Sequence, residues 1–415
     1  MPNILVYEDA LVDQLFPITT GRCACSITVA TYCLRTLLER LAGTRTAFVR
    51  PHLRRLMELD HPTWNQRLGD ESMTLIVNAR IVPSITNLHR IDEAIRSTAG
   101  FVERDGNAVV CALIPTDQLQ SIDLLTSPKV FSDAIAQKCD SLPESSLSMT
   151  TLKFPHDVVA ENLQIFNENL NDRIARGEYR EISDGVFVAE SAKISDFVVT
   201  NTRSGPILIE EDTVIGPFCY LRGPVYLGPN SRINEHAAIK DAVCVGHTVK
   251  VGGEVEGSII ESYSNKQHHG FLGHSYLGNW INLGAGTCNS DLKNTYGEVK
   301  MEYGGRKVST GMQFVGCFIG DYSKTAINTS IFTGKVIGVC SMLYGFVTTN
   351  VPSFVNYARA FGQITESPAA VMEATQQRMF ERRNVVQREA DIQLLYDMYE
   401  LTRSERQMSE EPLAL

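Results

Sequence analysis

The stretch IEEDTVIGPFCYLRGPVYLGPNSRINEHAAIKDAVCVGHTVKV, residues 209–251, decides the fold, because an aliphatic side chain recurs in it at every sixth position. Helices repeat every 3.6 residues and strands every 2, so neither explains this spacing. A six-residue period is typical of a parallel β-helix, in which three short strands form one triangular coil of about 18 residues and the periodic aliphatic points inward. The series consists of Ile209, Ile215, Leu221, Leu227, Ile233, Ile239, Val245 and Val251. We predict a left-handed hexapeptide β-helix.

Glycine directly follows four of these aliphatics, at Gly216, Gly228, Gly246 and Gly252. A coil must turn at each corner, and glycine adopts turn conformations that other residues avoid. We therefore predict that these glycines supply the corner turns.

The same period marks where the β-helix begins and where it is interrupted. Val188 and Ile194 are in phase with each other, and the loop 201–206 then shifts the period. Val251 and Leu277 are not separated by a multiple of six, which predicts a loop excursion that ends near Phe271. The polar segment 288–311 predicts a second excursion, and such loops usually form a binding surface. The last coils are predicted from Ile319, Ile331, Ile337 and Leu343.

Composition limits the class of function. The chain has 415 residues, of which 43% are hydrophobic and 21% charged, and its net charge is −10. Nucleic acid is disfavoured as a partner because phosphate backbones need a basic surface. No apolar run is long enough to cross a membrane, and the N-terminus has no basic leader. The ten cysteines show no paired spacing, which predicts reduced thiols and a cytoplasmic location.

Three motifs resemble one enzyme family: IGPFCYLR (215–222), VKVGGEVEGSII (249–260) and HHGFLGHSYLGNWINLGAGTCNSDLKN (268–294). They are similar to the acetyltransferase half of the bifunctional glucosamine-1-phosphate acetyltransferase/N-acetylglucosamine-1-phosphate uridylyltransferase family. The resemblance is greatest to a bacterial subgroup named as sugar nucleotidyltransferases. It covers about 186–350 strongly and the N-terminal part weakly. It implies acetyl-CoA as co-substrate, an amino-sugar phosphate or nucleotide sugar as acceptor, and a homotrimer.

The resemblance also implies roles for individual residues. His268 matches the general base, fourteen residues before the sugar-contacting Asn282. Ala285 and Gly286 match backbone that lies along acetyl-CoA. The remaining matches are substrate-binding positions. The sugar phosphate is matched by Arg222 or, one coil later, by Lys240. Phe271 stands in place of a tyrosine, and Lys293 lies near a lysine that a neighbouring subunit contributes.

The chemistry of acyl transfer gives an independent reason for a histidine here. An amine that attacks a thioester must lose a proton, and neutral imidazole, with an ordinary pKa of about 6.5, can accept it near pH 7. The alternative is that His268 and His269 are solvated loop residues, and His274 is expected to be structural. His268, His269, His274 and Cys288 fit no zinc-ligand spacing, so we predict no metal site.

The first 180 residues alternate apolar and helical segments, which predicts an α/β sheet. Strands are expected at 3–9, 73–84 and 107–115, and a helix at 28–41. By position this region matches the family's nucleotidyltransferase domain, and 15–22 resembles the end of its signature loop. The chain lacks the glycine-rich phosphate loop, and Asn78-Ala79-Arg80 stands where the family has a metal-binding aspartate. We predict a degenerate domain, which would need Mg²⁺ only if it were active.

These observations predict three domains and leave three functions open. The domains are 1–180, nucleotidyltransferase-like; 181–355, β-helix acyltransferase; and 356–415, a helical tail with Met372, Met379 and Val386 in a seven-residue spacing. A helix is also expected at 157–177. The first function is an acetyl-CoA-dependent acyltransferase of sugar-nucleotide metabolism. The second is a sugar-1-phosphate nucleotidyltransferase with a trimerising β-helix, and the third is a non-catalytic scaffold that binds nucleotide sugars.

Overall fold

The computed structural model describes residues 1–65, 67–97, 99–120, 122–123, 126–145 and 147–407. The chain forms two compact units. The first unit comprises 1–15, 22–28 and 32–153, and the second comprises 16–21, 29–31 and 154–415. The long helix that follows residue 154 therefore belongs to the same unit as the β-helix.

The first unit is an α/β domain around one six-stranded sheet of order β3-β2-β1-β4-β6-β5. Strands β1 to β4 run parallel, whereas β6 pairs antiparallel with β4 and β5. Its strands are β1 Asn3–Tyr7, β2 Arg45–Phe48, β3 Trp64–Asn65, β4 Met73–Asn78, β5 Phe101–Asp105 and β6 Ala108–Pro115. Its α-helices are α1 Leu34–Leu38, α2 Arg54–Asp60, α3 Ile85–Arg96 and α4 Pro128–Lys138, and short 3-10 turns span Ala10–Leu15, Ala24–Ser26, Pro51–Leu53 and Thr116–Leu119.

The three predicted strands are confirmed as β1, β4 and β6, although β1 ends at Tyr7 and β4 at Asn78, earlier than predicted. The helix predicted at 28–41 is wrong in extent. Only Leu34–Leu38 is helical. Ala30 and Thr31 have φ angles of 46° and 85°, which a right-handed helix does not allow. The apolar residues of this segment are therefore buried by a largely irregular chain and do not form one face of a long helix.

The second unit is a three-sided parallel β-helix, as the six-residue period predicts. Each side is a ladder of very short strands, which are parallel except for β7 (Arg180–Ser183) at the edge of the first face and β34 (Gln363–Glu366) at the edge of the second. The first face contains β8 Val186–Val188, β11 Ile207–Ile209, β14 Val225–Leu227, β17 Val243–Val245, β20 Ile259–Ile260, β23 Tyr276–Leu277, β27 Cys317–Ile319 and β30 Lys335–Ile337, with β7 Arg180–Ser183 antiparallel at its edge.

The other two faces alternate with the first along the chain. The second face contains β9 Lys193–Ile194, β12 Val214–Ile215, β15 Arg232–Ile233, β18 Lys250–Val251, β21 Asn265–Lys266, β28 Lys324–Thr325, β31 Met342–Leu343, β33 Val355–Ala358 and β34 Gln363–Glu366. The third face contains β10 Val199–Asn201, β13 Tyr220–Arg222, β16 Ala238–Lys240, β19 Glu254–Glu256, β22 Phe271–Gly273, β24 Cys288–Asn289, β29 Ser330–Ile331 and β32 Phe346–Val347.

All eight periodic aliphatics from Ile209 to Val251 are fully buried and form the core of the β-helix with the later Leu277, Leu283 and Ile319. The inward period is therefore confirmed. Apolar burial of this kind stabilises a fold by roughly 25 cal/mol for each Å² removed from water.

The predicted role of the glycines is wrong. None of Gly216, Gly228, Gly246 and Gly252 has a positive φ. Each instead lies against the next coil, so that a Cβ at Gly252 would stand 2.3 Å from the carbonyl oxygen of Gln267. After three of them the left-handed backbone falls two residues later and is supplied by other residue types, such as Phe218 at φ 60° and Asn230 at φ 57°, whereas after Gly252 it falls on Gly253 at φ 70°. Glycine is required here for close stacking of coils.

The excursion predicted between Val251 and Leu277 is also wrong, because the chain continues through a complete coil there. Val245 pairs with Ile260 and Val251 with Lys266, each only fifteen residues on. Shortened corners, not an inserted loop, break the six-residue period. The inward position of Val251 is taken in the next coil by Lys266, which is 2% exposed.

The second excursion is confirmed with shifted bounds. Residues 288–289 still form strand β24, and the chain leaves the β-helix from 290 until β27 begins at Cys317. The excursion carries an antiparallel hairpin, β25 Lys300–Tyr303 and β26 Arg306–Ser309.

The expected helix at 157–177 is confirmed as α5 Pro155–Arg176, and the tail contains three helices as far as residue 407, where the described structure ends. These are α6 Ala369–Glu381, α7 Glu389–Leu401 and α8 Arg403–Gln407, and a 3-10 turn spans Arg359–Phe361. The helical pattern predicted from the seven-residue spacing does not extend to its last member, Val386. This residue lies between α6 and α7, is 79% exposed and follows Asn384, which turns the chain at φ 54°. No helix in the described part of the chain is both long and apolar enough to span a membrane.

Candidate functional site

The predicted base lies on the corner that joins β21 to β22. Lys266, just before this corner, points into the β-helix, and its Nζ donates to the carbonyl oxygens of Gly252 at 2.7 Å and His268 at 2.9 Å. Burial lowers the pKa of Lys266 to about 8. This ammonium therefore connects two neighbouring corners and holds the backbone of His268 in place.

The two histidines of the corner have different surroundings. The His268 side chain is exposed, and its Nε2 lies 3.0 Å from the amide nitrogen of Gln267. Since that amide nitrogen can only donate, Nε2 of His268 is the acceptor and carries a lone pair. His269 is exposed as well, but its Nε2 lies beside the next coil, about 3.4 Å from where a Cβ at Gly286 would stand.

The segment that the resemblance places along acetyl-CoA forms the corresponding corner of the next coil. Gly286 has φ 74° and donates its N–H to the carbonyl oxygen of His269 at 3.0 Å. The Ala285 carbonyl accepts from the N–H of Asn328 at 2.7 Å, whereas the Ala285 N–H has no hydrogen-bond partner among the residues described. Asn282 is exposed on the second face, where it bridges Asn265 and Lys324 in the ladder.

Arg222 and Lys240 stand in one column on the third face, in register with Glu256 and then Gly273. Arg222 forms a bidentate ion pair with Asp241, and Lys240 lies 2.6 Å from Glu254 and 3.0 Å from Glu256. A sugar phosphate at either cation would have to displace a carboxylate. Lys240 is one coil nearer the His268 corner than Arg222.

Phe271 and Lys293 lie on either side of the start of the excursion. The Phe271 ring covers Gly273, because a Cβ at Gly273 would stand 2.5 Å from it. The Phe271 N–H donates to Cys288 Sγ at 3.3 Å. Lys293 Nζ donates to the carbonyl oxygen of Glu298 at 2.9 Å, within the excursion.

Sequence reasoning missed a histidine–carboxylate pair that begins at the residue after Gly273, the last member of the Arg222–Lys240 column. His274 Nδ1 lies 2.8 Å from Asp291 Oδ2, and Phe314 of the excursion packs on the imidazole with ring centroids 5.4 Å apart. The carboxylate orients the ring and leaves Nε2 as the nitrogen that could exchange a proton. The two residues are 17 apart, close to one coil, which is the signal that could have revealed the pair.

In the first unit, the charged residues near the expected metal-binding position form ion pairs with one another. Glu8 and Asp9 follow β1 and are buried; Glu8 pairs with Arg50 at 3.1 Å and Asp9 with Arg80 at 2.6 Å. Arg80 is 1% exposed and also donates to the carbonyl oxygen of Leu152. Arg80 is therefore a structural cation here and is not open to a sugar phosphate.

These residues do not fit a magnesium site. Both carboxylates already bind guanidinium groups, and Arg80 adds a positive charge where the ion would need oxygen ligands. No group of three or more His, Cys, Asp or Glu side chains in the described ranges could hold a metal ion.

Comparison with known proteins matches two separate parts of the chain to family models. Residues 4–176 match the family model described as sugar nucleotidyl transferase, and residues 206–241 match that of the bacterial transferase hexapeptide. The chain thus has one region similar to sugar nucleotidyl transferases and another similar to hexapeptide transferases, and the curated relatives that it matches are named as transferases.

Two curated relatives carry bifunctional names. The chain is 33% identical over 152 residues to a bifunctional sugar-1-phosphate nucleotidylyltransferase/acetyltransferase of Sulfurisphaera tokodaii, a match that covers 35% of this chain and 37% of the relative. It is 31% identical over 119 residues to the bifunctional protein GlmU of an Azoarcus species, covering 28% of this chain and 24% of the relative. The chain therefore spans less than two fifths of the length of either.

A solved structure of UDP-N-acetylglucosamine acyltransferase from Francisella novicida is 16% identical, with a TM-score of 0.22, over 56% of this chain and 81% of that one.

Proposed function

We propose that the protein transfers an acetyl group from acetyl-CoA to an amino-sugar phosphate or a nucleotide sugar. The observation that carries the proposal is the stacking of the His268–His269 corner directly on the Ala285–Gly286 corner, at the base of a polar excursion. The names of the bifunctional relatives, which join nucleotidyl and acetyl transfer, support it.

The proposed reaction needs a base and an oxyanion donor within one small region. The acceptor amine forms a bond to the thioester carbonyl carbon while His268 Nε2 takes its proton. The carbon–sulfur bond then breaks, coenzyme A leaves, and the proton passes to its sulfur. The Ala285 N–H, which has no partner in the described part of the chain, is the candidate donor to the tetrahedral oxyanion. Asn282 is the candidate sugar ligand, Lys240 or Arg222 the phosphate ligand, and Phe271 and Lys293 flank the acceptor.

The remaining features of the proposal concern the whole protein. We propose a homotrimer, three functional ranges at 1–180, 181–355 and 356–415, and a cytoplasmic location. The last is supported by ten cysteines that are all free thiols, nine of them buried.

The direct test measures thiol release from acetyl-CoA with amino-sugar phosphates and with nucleotide sugars as acceptors. His268→Ala should lower kcat by roughly 10²- to 10⁴-fold, the usual size of a general-base contribution. Its acetyl-CoA affinity should be nearly unchanged, because an exposed imidazole adds little packing. His269→Ala is the matched control and should change kcat by less than about tenfold. Full activity of His268→Ala would refute the assignment of the base, and no release with any acceptor would refute the function.

A second function, nucleotidyl transfer in the first unit, is favoured by the family match over residues 4–176. Against it, Glu8 and Asp9 are both engaged by arginines, so the charge stabilisation that phosphoryl transfer requires is missing. We expect no magnesium-dependent pyrophosphate release from UTP and N-acetylglucosamine-1-phosphate. Sustained release would favour the second function over the first.

A further inference from the structure

Four basic side chains lie close together on the outer side of the second face, beside the column of positions 232, 250, 265 and 282. Arg232 and Lys250 occupy equivalent positions in successive coils, and Asn265 follows Lys250 in the same column. Arg383, just beyond the end of α6, donates from Nη2 to Asn265 Oδ1 at 2.6 Å. Arg382 precedes it in the chain. We call these four, Arg232, Lys250, Arg382 and Arg383, the cationic cluster.

Aromatic packing fixes the end of α6 beside this column. Phe380 stacks on Trp280 with ring centroids 4.5 Å apart, and Trp280 stacks on Tyr263 at 4.2 Å. Phe380 and Trp280 are 4% and 8% exposed, so the helix end is firmly packed. The two arginines after Phe380 are therefore held over Lys250 by the fold.

The cluster is not neutralised. Within the described ranges, Arg232, Lys250 and Arg382 form no ion pair and no side-chain hydrogen bond, although the chain carries a net charge of −10. The pKa of Lys250 is lowered by partial burial and by the charges of Arg383, Arg232 and Arg382. This contrasts with the third face, where Arg222 and Lys240 both have carboxylate partners. The negative end of the α6 dipole offsets only part of the repulsion.

We propose that the cationic cluster binds a diphosphate-bearing ligand. Three guanidinium groups and an ammonium, placed by neighbouring coils and a packed helix end, match the spread of negative charge on a diphosphate, and arginine can bind phosphate oxygens in bidentate fashion. Binding would relieve the repulsion among the cations. The diphosphate belongs either to coenzyme A or to a nucleotide sugar. Both are reactants of the proposed acyl transfer, so this choice of ligand rests on that function, whereas pyrophosphate binding by the cluster does not.

The test is calorimetric titration of the full chain, without turnover, using inorganic pyrophosphate, coenzyme A and UDP-N-acetylglucosamine as separate probes. Pyrophosphate should bind, with an affinity that falls steeply as salt is added. Lys250→Met and Arg383→Gln should each weaken pyrophosphate binding by about tenfold or more, because each removes a charged hydrogen-bond donor. The organic probe whose binding weakens in the same two variants identifies the source of the diphosphate.

Lys193→Met is the matched control. Lys193 is exposed on the same face, two coils before Arg232 in the same column, and it has no role in the site. This variant should bind pyrophosphate as the wild type does. The proposal is overturned if pyrophosphate gives no binding heat, if Lys250→Met binds as well as wild type, or if Lys193→Met weakens binding equally. It is also overturned if light scattering shows that the cluster variants change subunit number instead of pyrophosphate affinity, because the cations would then serve an interface. None of these outcomes depends on acyl-transfer activity, so this proposal can fail independently of the proposed function.

Discussion

At the scale of single residues, Lys266 replaces an aliphatic side chain at an inward position of the β-helix. It occupies the inward position that Val251 holds in the coil before and Leu283 in the coil after. Its ammonium is tolerated because two carbonyl oxygens accept from it at 2.7 and 2.9 Å. Buried charge is retained only with such partners, so this lysine stabilises a particular backbone geometry at the His268 corner.

This burial makes a prediction about pH and stability. Below pH 8, Lys266 is protonated in both the folded and the unfolded chain, and its burial lowers the free energy of unfolding. Between its folded pKa of about 8 and the ordinary value near 10.5, only the unfolded chain binds the proton, so the penalty disappears as pH rises. The stability of the wild type relative to Lys266→Met should therefore rise by about 2 kcal/mol from pH 8 to pH 10.

The comparison with the variant is essential for this measurement, which is made by urea unfolding at each pH. Buried thiols such as Cys244 and Cys317 have pKa values raised to about 12, and their effect on stability has the opposite sign over the same range. That effect cancels in the difference between the two proteins. A difference that stays constant from pH 8 to pH 10 would show that Lys266 does not titrate as its burial requires.

At the scale of the strand and corner, the glycines act through contact between coils. A Cβ at Gly252 would stand 2.3 Å from the Gln267 carbonyl oxygen, and one at Gly246 would stand 2.8 Å from the Ser262 nitrogen. These neighbours are backbone atoms, which cannot rotate away. The repeat of glycine after the inward aliphatic therefore reflects the stacking distance of the coils.

We expect Gly252→Ala to lower the free energy of unfolding by about 3 kcal/mol, because the coil stack must open to accept the methyl group. The control is Gly305→Ala in the hairpin of the excursion, where φ is 78° and no atom lies within 4 Å of an added Cβ. That change should cost about 1 kcal/mol, from backbone strain alone. Urea unfolding of both variants measures the difference, and equal costs would contradict the stacking explanation.

At the scale of the whole molecule, the exposed apolar surface bears on the proposed trimer. Phe197 and Phe218 stack at 5.2 Å on one corner of the first coils, although they are 71% and 55% exposed. Contiguous exposed aromatics commonly mark a surface that another protein covers. In a homotrimer this corner is a candidate contact between copies.

Light scattering at micromolar concentration should give three times the mass of one chain. The double variant Phe197→Asp/Phe218→Asp should dissociate, since burying two carboxylates in an interface is unfavourable. Phe361→Asp, at an equally exposed phenylalanine in the 3-10 turn 359–361, should remain trimeric. A monomeric wild type would refute the trimer, and dissociation of Phe361→Asp alone would refute the assignment of the contact to the Phe197 corner.

The sequence by itself determined the β-helix, its inward residues and the excursion after β24. It could do so because each coil repeats the same geometry, and a side chain's position in the period decides whether it points inward. The buried strands β1, β4 and β6 were predictable for a similar reason, since a run of apolar residues needs a core.

Only the tertiary structure decided which residues of neighbouring coils meet. Corners shortened by a few residues between Val245 and Lys266 leave no local signal, yet they replace a predicted loop by a complete coil. The carboxylate partners of Arg222 and Arg80 and the gathering of the cationic cluster likewise depend on residues far apart in the chain. Electrostatic and stacking interactions act through space, and a periodic pattern records only the direction in which each side chain points.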